Sequence, residues 1–181
     1  MTEARIKPNP HAGLPGGKRR WPFHLSILLL LMPALLVPNY FRQVALFSGT
    51  GGLGERKLGE ITIGPWKAQL AEFSVEEPLD QGLAGHIKSF ALGLEPESAT
   101  HVKASYMRVG KPRTLRAAGA IFYGPPYRQL VDLPIPQRTE PGERLWLTME
   151  GWDGSVHQAS IALSEASPVT EAWLAKQKGT R

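Results

Sequence analysis

The stretch WLTMEGWDGSVHQASI, Trp146–Ile161, holds two runs of alternating apolar and polar residues on either side of one turn. The dipeptide Asp153-Gly154 lies between the runs. It favours a two-residue hairpin, because both central residues of a type I′ turn need positive φ. Such a turn predicts that Glu150 and His157 are cross-strand partners. The residues predicted to share the interior face of this hairpin are Leu145, Leu147 and Met149.

The same kind of pattern precedes the hairpin along the chain. Between Leu58 and Leu163 the sequence divides into about seven apolar runs, and the whole chain contains 19 glycines and 16 prolines. Short strands with frequent turns are typical of all-β domains. The runs are EITIGPWKAQLAEF, GHIKSFALGLE, THVKASYMRV, TLRAAGAIFYG, YRQLVDLPI, ERLWLTMEGW and SVHQASIAL. We therefore predict an all-β fold, an immunoglobulin-like β-sandwich of about seven strands, with a small barrel as the alternative.

Alternation within two of these runs assigns side chains to faces. In THVKASYMRV, we predict that Val102, Ala104 and Tyr106 share one face of a strand. In ITIGPWKAQL the alternation changes phase at Gly64-Pro65. We interpret this change as a bulge or as a bend between two sheets.

The C-terminal sequence SPVTEAWLAKQK predicts one short helix. Ser167 is a suitable N-cap, and Pro168 fits the first turn of a helix. Val169, Ala172 and Trp173 form a narrow apolar stripe. We expect this helix to cover one edge of the β domain; contact with a membrane surface or a partner is the alternative.

A second stretch differs from the rest of the chain. KRRWPFHLSILLLLMPALLVPNYFR begins with three cations, and Phe23–Phe41 contains 19 residues without a charge. As a helix this segment is about 28 Å long, which is close to the hydrocarbon thickness of a bilayer. We predict a transmembrane helix over residues 21–41, with the cationic N-terminus in the cytoplasm. A cleaved signal peptide and a buried core helix are the alternatives.

These features divide the chain into five parts. Residues 1–20 are predicted to be a disordered cytoplasmic tail, residues 21–41 the transmembrane helix and residues 42–57 a flexible linker. Residues 58–165 follow as a periplasmic β-sandwich, and residues 166–181 as the C-terminal helix and tail. The predicted location is a bacterial inner membrane that the chain crosses once.

Charge and motifs exclude several functional classes. Residues 1–41 hold five cations and one anion, whereas the rest of the chain holds 16 cations and 15 anions. A nucleic-acid-binding domain carries its positive excess in the folded part, so we predict no nucleic acid among the partners. The absence of cysteine excludes disulfides and thiolate metal sites. HExxH, GxSxG and GxxxxGK[ST] motifs are absent, and the glycines of SGTGGLG do not follow a strand, so we predict no enzyme.

Four residues of the exported part are candidate ligands for copper or iron: His86, His101, Met107 and His157. Soft thioether and imidazole ligands suit these metals. His101 and Met107 are about 20 Å apart along an ideal strand, so the spacing does not predict that they meet. A metal-binding or small-ligand-binding domain is therefore the alternative hypothesis, and the leading one includes no cofactor.

The segment KASYMRVGKPRTLR is rich in cations and contains no acidic residue. Arginines beside a tyrosine can bind an acidic protein surface or lipid headgroups. The aromatic turn FYGPPYR offers two further tyrosines for a partner. The predicted partner-binding residues are Lys103, Arg108, Lys111, Arg113, Arg116, Tyr123 and Tyr127. The alternative is a solvated strand edge that resists aggregation, with the tyrosines packed over the end of the domain.

The layout of a short tail, one anchor and one compact β domain resembles that of the FixH and YtkA-like accessory proteins. The resemblance covers the layout alone, and no functional residue is carried over from it. It implies an accessory role in metal handling or oxidase assembly. We therefore expect an accessory or scaffold subunit of an inner-membrane protein complex, held near its partner by a lipid-embedded anchor.

Overall fold

The computed structural model describes residues 31–41 and 52–179. Residues 1–30, 42–51 and 180–181 lie outside this description. They include the predicted tail, the first half of the predicted transmembrane helix and most of the predicted linker. The predicted β-sandwich and most of the C-terminal helix lie within the described residues.

The chain divides into two compact units, Met1–Phe41 and Arg42–Arg181. In the first unit, residues 31–41 are helical and their side chains are exposed. None of the helices formed by residues 31–41 and 52–179 is both long and apolar enough to cross a lipid bilayer.

In the second unit, residues 52–179 form nine strands and three α-helices. One sheet contains β1 (Arg56–Ile63), β2 (Trp66–Glu72), β3 (Leu79–Asp80), β4 (His86–Leu94) and β7 (Gln129–Ile135). The other sheet contains β5 (Val102–Val109), β6 (Ala120–Ile121), β8 (Arg144–Gly151) and β9 (Val156–Ala162). The helices are α1 (Pro96–His101), α2 (Leu163–Ala166) and α3 (Pro168–Gly179).

All strand pairs in both sheets are antiparallel. In the first sheet β1, β2, β4 and β7 lie side by side, and β3 pairs with the start of β4. The second sheet has the order β6-β5-β8-β9. This arrangement confirms the prediction of an all-β domain of two sheets with a short C-terminal helix. The strand count exceeds the prediction because the first run forms two strands and because β3, with only two residues, lies outside the predicted runs.

Apolar side chains from both sheets fill the space between them. The large, fully buried side chains include Leu70, Phe90, Leu92 and Leu133 from the first sheet and Met107, Leu145, Leu147 and Met149 from the second. Burying a side chain of this size stabilises the fold by about 1.5–3 kcal/mol. The interior face predicted for β8 is therefore confirmed.

The phase change at Gly64-Pro65 has another cause than the one predicted. The two residues form a two-residue loop between β1 and β2, in which Ile63 pairs with Trp66. Gly64 has a φ of 62°, which suits the first central position of a hairpin turn. Cross-strand partners share a face, so the apolar positions change phase at the turn without a bulge or a bend between sheets.

The hairpin around Asp153-Gly154 has a three-residue loop, so the predicted two-residue turn is wrong. The Gly151 N–H donates to the Ser155 carbonyl at 2.8 Å, which leaves Trp152, Asp153 and Gly154 between the strands. Gly154 has a φ of 82°, and within residues 52–179 no residue other than glycine has a positive φ. A three-residue loop needs positive φ only at its glycine, so Asp153 keeps an ordinary backbone conformation.

The longer loop shifts the register of β8 and β9 by one residue. Met149 pairs with His157, and Glu150 pairs with Val156. The predicted partnership of Glu150 with His157 is therefore wrong. A shift of one residue moves every side chain of a strand to the opposite face, and His157 accordingly lies on the interior side of β9 with Met149.

A bulge in β5 corrects the faces predicted there. The register of β5 against β8 shifts between Val102 and Ala104. Val102 is consequently buried in the core with Met107, whereas Ala104 and Tyr106 are half-buried on the outer side of the sheet. The prediction that Val102 shares a face with Ala104 and Tyr106 is wrong because an extra residue interrupts the alternation.

The C-terminal helix begins as predicted. The Ser167 hydroxyl accepts a hydrogen bond from the Thr170 N–H at 3.3 Å, as an N-cap does, and Pro168 is the first residue of α3. The buried residues of α3 are Thr170 and Leu174, whereas Ala172 is exposed. The buried face of α3 therefore differs from the predicted apolar stripe of Val169, Ala172 and Trp173.

Trp173 lies at the side of the buried face of α3. Its ring packs against His86 of β4, with the two ring centroids 4.7 Å apart. Leu163 and Ala166 of α2 are fully buried in the core. The two C-terminal helices thus cover one end of the sandwich.

A cluster of charged side chains lies under α2 at this end. Glu72 is 0% exposed. One of its carboxylate oxygens lies 2.9 Å from Nζ of Lys88, and the other lies 2.8 Å from Nε of Arg56. The Ser167 hydroxyl donates a hydrogen bond to the same carboxylate. A buried charge is tolerated only when it is paired and hydrogen-bonded, and Glu72 meets both conditions.

The partners of Glu72 connect several elements. Lys88 is 3% exposed and also donates hydrogen bonds to the backbone carbonyls of Ser74 and Glu76. Arg56 also donates to the carbonyls at the end of α2. The network therefore joins β1, β2 and β4 to the C-terminal helices.

Candidate ligand cleft

A cleft of about 700 Å³ lies at the opposite end of the sandwich from α2. Three segments surround it: the loop between β1 and β2, helix α1, and the loop between β8 and β9. Its lining residues are Pro65, Trp66, Lys67, Glu95, Glu97, Ser98, His101, Trp152, Asp153, Ser155 and His157. Its volume is typical of sites that bind small molecules or single side chains with their neighbours.

Helix α1 is held at both ends by hydrogen bonds to the other two segments. At its start, the Glu95 N–H donates to the Lys67 carbonyl at 3.2 Å, and the Lys67 N–H donates to Oγ of Ser98 at 3.0 Å. At its end, the Trp152 N–H donates to the His101 carbonyl at 3.0 Å. The cleft is therefore built from segments that fix one another, which favours a preformed site.

Trp66 and His157 form the inner side of the cleft. Trp66 is 6% exposed, and its ring meets the His157 ring edge to face at a centroid distance of 5.1 Å. A Cβ atom at Gly64 would overlap the His157 ring. A Cβ atom at Gly151 would lie 2.9 Å from the Trp66 ring. Both glycines thus allow the two rings to pack against the backbone of the adjoining loops.

Substituting Gly64 tests this packing. Gly64→Ala is expected to destabilise the domain by about 1–3 kcal/mol more than Gly82→Ala does, because overpacking a filled site costs that much. Gly82 has nearly the same φ, 61° against 62°, but has open space at its Cβ position, so it is the matched control for backbone strain. Thermal unfolding followed by circular dichroism measures both variants, and equal losses of Tm would contradict close packing of His157 on Gly64.

Acidic groups dominate the charge of the cleft. Its lining includes three carboxylates, Glu95, Glu97 and Asp153, and one lysine, Lys67. The ammonium of Lys67 lies 3.1 Å from Oε1 of Glu60. Its pKa is raised above its ordinary value by the hydrogen bond with Glu60, by the charge of Glu60 and further by the carboxylate of Glu95. The carboxylates around Lys67 therefore stabilise its charged form.

Asp153 contributes a fixed negative charge. Its Oδ1 atom accepts hydrogen bonds from the Ser155 hydroxyl at 2.6 Å and from the Ser155 N–H at 2.9 Å. These two bonds lower the pKa of Asp153, and the neighbouring His157 lowers it slightly further. Asp153 consequently remains a carboxylate at pH values where an ordinary aspartate begins to accept a proton.

The outer rim of the cleft is aromatic. Trp152 is 70% exposed, and His101 at the end of α1 is also exposed. An exposed tryptophan beside carboxylates offers an incoming group both a flat apolar surface and negative charge. This combination suits recognition of a cation.

The structure brings together two of the four predicted metal ligands. His101 and His157 both line the cleft. His86 packs against Trp173 at the other end of the domain, and Met107 is fully buried in the core. In the part of the chain that the structure describes, no group of three or more histidine, aspartate or glutamate side chains is arranged to hold a metal ion.

Three of the five predicted partner-binding cations contact groups of their own domain. The Lys103 ammonium lies 2.7 Å from Glu150, which raises the lysine pKa. Arg108 donates to the Ala117 carbonyl at 2.6 Å. Lys111 lies 5.3 Å from the centroid of the indole ring of Trp146. The remaining two cations of this group, Arg113 and Arg116, are exposed.

The two predicted partner-binding tyrosines differ in their surroundings. The Tyr123 hydroxyl donates to Asp132 at 3.0 Å, and partial burial together with this bond raises the tyrosine pKa. Tyr127 is 74% exposed. Neither tyrosine lines the cleft.

Sequence reasoning missed Trp66, Trp152 and the acidic residues of the cleft. One indication was available: Gly64-Pro65 and Asp153-Gly154 are both turn dipeptides with a tryptophan directly adjacent. Two such turns at the same end of a sandwich bring their tryptophans close together. The sequence does not specify that α1 lies between these turns.

Comparison with known proteins identifies one family. Residues 18–164 match the model of the family described as "Uncharacterised conserved protein UCP029505". The matched residues are well over half of the chain and include all segments that line the cleft. Searches of curated proteins and of solved structures found no match.

Proposed function

The chain belongs to this family, and we propose that it is a single-pass protein of a bacterial inner membrane. Its N-terminus lies in the cytoplasm, and its periplasmic sandwich, proposed to be immunoglobulin-like, is an accessory or scaffold subunit of a membrane complex. Metal transport or the assembly of a metal cofactor or oxidase is the proposed setting. The observation that carries the proposal is the preformed cleft at one end of the sandwich, which gives the domain a defined place for binding.

Two features support a membrane anchor over residues 21–41. The segment Phe23–Phe41 has no charge. The helical residues 31–41 expose large apolar side chains, namely Leu31, Met32, Leu35, Leu36 and Val37. Exposed apolar surface of this kind is favourable in lipid and unfavourable in water.

The polar groups of the cleft support binding rather than catalysis. The Ser98 hydroxyl accepts the Lys67 N–H, and the Ser155 hydroxyl donates to Asp153. His157 packs edge to face against Trp66. A nucleophile needs a base that can take up its proton near neutral pH. The carboxylate that the Ser155 hydroxyl meets has a lowered pKa and belongs to the same turn, so this bond shapes the loop and does not activate the serine.

The direction of the chain supports contact with a partner. The first strand begins at Arg56 beside α2 and runs to Ile63 beside the cleft. Eight residues of antiparallel strand span about 27 Å. The cleft therefore lies at the opposite end of β1 from Arg56.

Co-purification tests this proposal. When the full-length chain is extracted from membranes in a mild detergent, a partner protein is expected to remain with it. Trp152→Ala is expected to lose most of that partner, because a buried tryptophan at an interface commonly contributes about 2 kcal/mol or more. Leu83→Ala removes an exposed apolar side chain that lies outside the cleft and outside the predicted partner-binding residues, and it is the control. Equal recovery of the partner with both variants, or a lone monomer, would contradict the proposal.

A metal-binding function is the second candidate, and one observation favours it. His101 and His157 come from segments far apart in the sequence and line the same cleft. Imidazoles with a nearby carboxylate suit copper or iron. Titration of the full-length chain with Cu(I) and Fe(II) tests this function, with His86→Gln as a control outside the cleft. Metal binding that survives His101→Gln would exclude the cleft as the site.

A further inference from the structure

We infer that the cleft accepts the guanidinium group of an arginine carried by a segment of the partner protein. This inference rests on the proposed function, since it names the chemistry of the partner that the cleft recognises. Three properties of the cleft support it: its charge, its aromatic surfaces and its size.

Charge complementarity is the first argument. Glu95, Glu97 and Asp153 line the cleft, whereas Lys67 is its one lysine and is already paired with Glu60. The cleft therefore has an excess of negative charge before a ligand arrives. An anionic ligand would meet repulsion from three carboxylates, and a cation is attracted to them.

The surroundings of Lys67 agree with this charge complementarity. Glu60, Glu95 and Glu97 all raise the pKa of its ammonium. The Lys67 ammonium is thus stabilised by carboxylates from β1 and from the start of α1. A second cation entering from outside would experience the same field from Glu95 and Glu97.

The aromatic surfaces favour a guanidinium over an ammonium. Trp152 is mostly exposed at the rim, so one face of an incoming planar group can stack on its indole ring. Arginine is planar, stacks on aromatic rings and pairs with carboxylates through two parallel hydrogen bonds. An ammonium is compact and strongly hydrated and gains less from a flat aromatic surface.

The size and openness of the cleft favour a side chain within a polypeptide over a free small cation. A volume of about 700 Å³ exceeds that of one arginine side chain and leaves room for neighbouring residues. Trp152 and His101 leave the rim open to solvent. A chain that continues on both sides of the arginine can therefore leave the cleft without obstruction.

Binding of short peptides tests the inference. The probe is an acetylated and amidated pentapeptide with one central arginine flanked by alanines, added to the full-length chain in detergent. The indole N–H signals of Trp66 and Trp152 in NMR spectra report binding. We expect a dissociation constant on the order of 0.1–1 mM for so short a probe, with both indole signals shifting. The same peptide with citrulline, which is neutral, is expected to bind about tenfold more weakly.

Two variants assign the binding to the cleft. Trp152→Ala is expected to weaken the arginine peptide about fivefold through loss of stacking. Glu97→Gln is expected to weaken it about threefold through loss of one charge. Both residues are exposed, so neither change removes core packing. Glu140→Gln is the matched control, since Glu140 is an exposed glutamate outside the cleft.

The outcomes separate this inference from the proposed function. Citrulline or lysine peptides that bind as tightly as the arginine peptide would overturn the guanidinium assignment. Agmatine, a free guanidinium cation, binding more tightly than the peptide would overturn the assignment to a polypeptide. If either occurred while recovery of the partner still depended on Trp152, the inference would fail and the proposed function would stand.

Discussion

Glu72→Gln is expected to lower the free energy of unfolding by about 3–5 kcal/mol, because it removes one member of a buried ion pair and leaves the other uncompensated. Lys88 is 3% exposed and would keep only its two backbone acceptors. Arg56 would lose the carboxylate that aligns it with the end of α2. A loss of this size is a large fraction of the stability of a typical domain, which is about 5–15 kcal/mol.

Chemical denaturation of the full-length chain in detergent, followed by circular dichroism, measures this effect. Glu60→Gln is the matched control, because Glu60 pairs with Lys67 at the surface and such pairs contribute about 0–1 kcal/mol. The double variant Glu72→Gln with Lys88→Met is expected to recover part of the loss, since no unpaired ammonium then remains. If Glu72→Gln and Glu60→Gln cost the same, the buried network would not stabilise the domain.

Deletion of residues 21–41 is expected to move nearly all of the protein from the membrane fraction to the soluble fraction. The deleted segment includes the 19 uncharged residues Phe23–Phe41. A segment of this length can fill the hydrocarbon thickness of a bilayer, and each charged residue at its centre would cost about 2.5–3.5 kcal/mol. Fractionation followed by alkaline washing of the membranes measures the change.

Deletion of residues 2–17 is the control for that experiment. It shortens the N-terminal tail but leaves Lys18, Arg19 and Arg20 and the uncharged segment in place. The shortened protein is expected to stay in the membrane. Recovery of the full-length chain, uncut, in the soluble fraction would contradict the anchor. A mass that begins after residue 41 would instead identify a cleaved signal peptide.

Local patterns in the sequence predict the sandwich well. The alternation along β8 assigns Leu145, Leu147 and Met149 to the interior, and all three are buried there. Ser167 and Pro168 mark the start of α3. These predictions succeed because strand alternation and helix capping depend on residues that are neighbours in the chain.

Register and loop length are less predictable for a physical reason. Asp-Gly is compatible with a two-residue loop and also with a three-residue loop that places only Gly154 at positive φ. The choice of loop length moves His157 from one face of β9 to the other. The three-residue loop places His157 where its ring packs against Trp66. Gly64-Pro65 presents the same ambiguity, since a phase change accompanies both a bulge and a tight turn.

The buried network was predictable in part. In WKAQLAE the alternation of Trp66, Ala68 and Leu70 continues to Glu72, so it places a carboxylate on the interior face. The partners Arg56 and Lys88 could not be assigned, because they come from other strands. The lining residues of the cleft could not be grouped from the sequence either, because they extend from Pro65 to His157 and meet only when two loops and α1 converge.

The most direct test of the central claim is crosslinking from the cleft in living cells. A photoreactive benzoylphenylalanine replaces Trp152 in the full-length, membrane-anchored chain, and in a control it replaces Leu83, which is exposed outside the cleft. We expect one dominant crosslinked partner from the Trp152 position, with its attachment site beside an arginine, and little from the Leu83 position. Crosslinks of equal yield from both positions, or none from the cleft, would contradict the claim that this end of the sandwich is where the protein binds its partner.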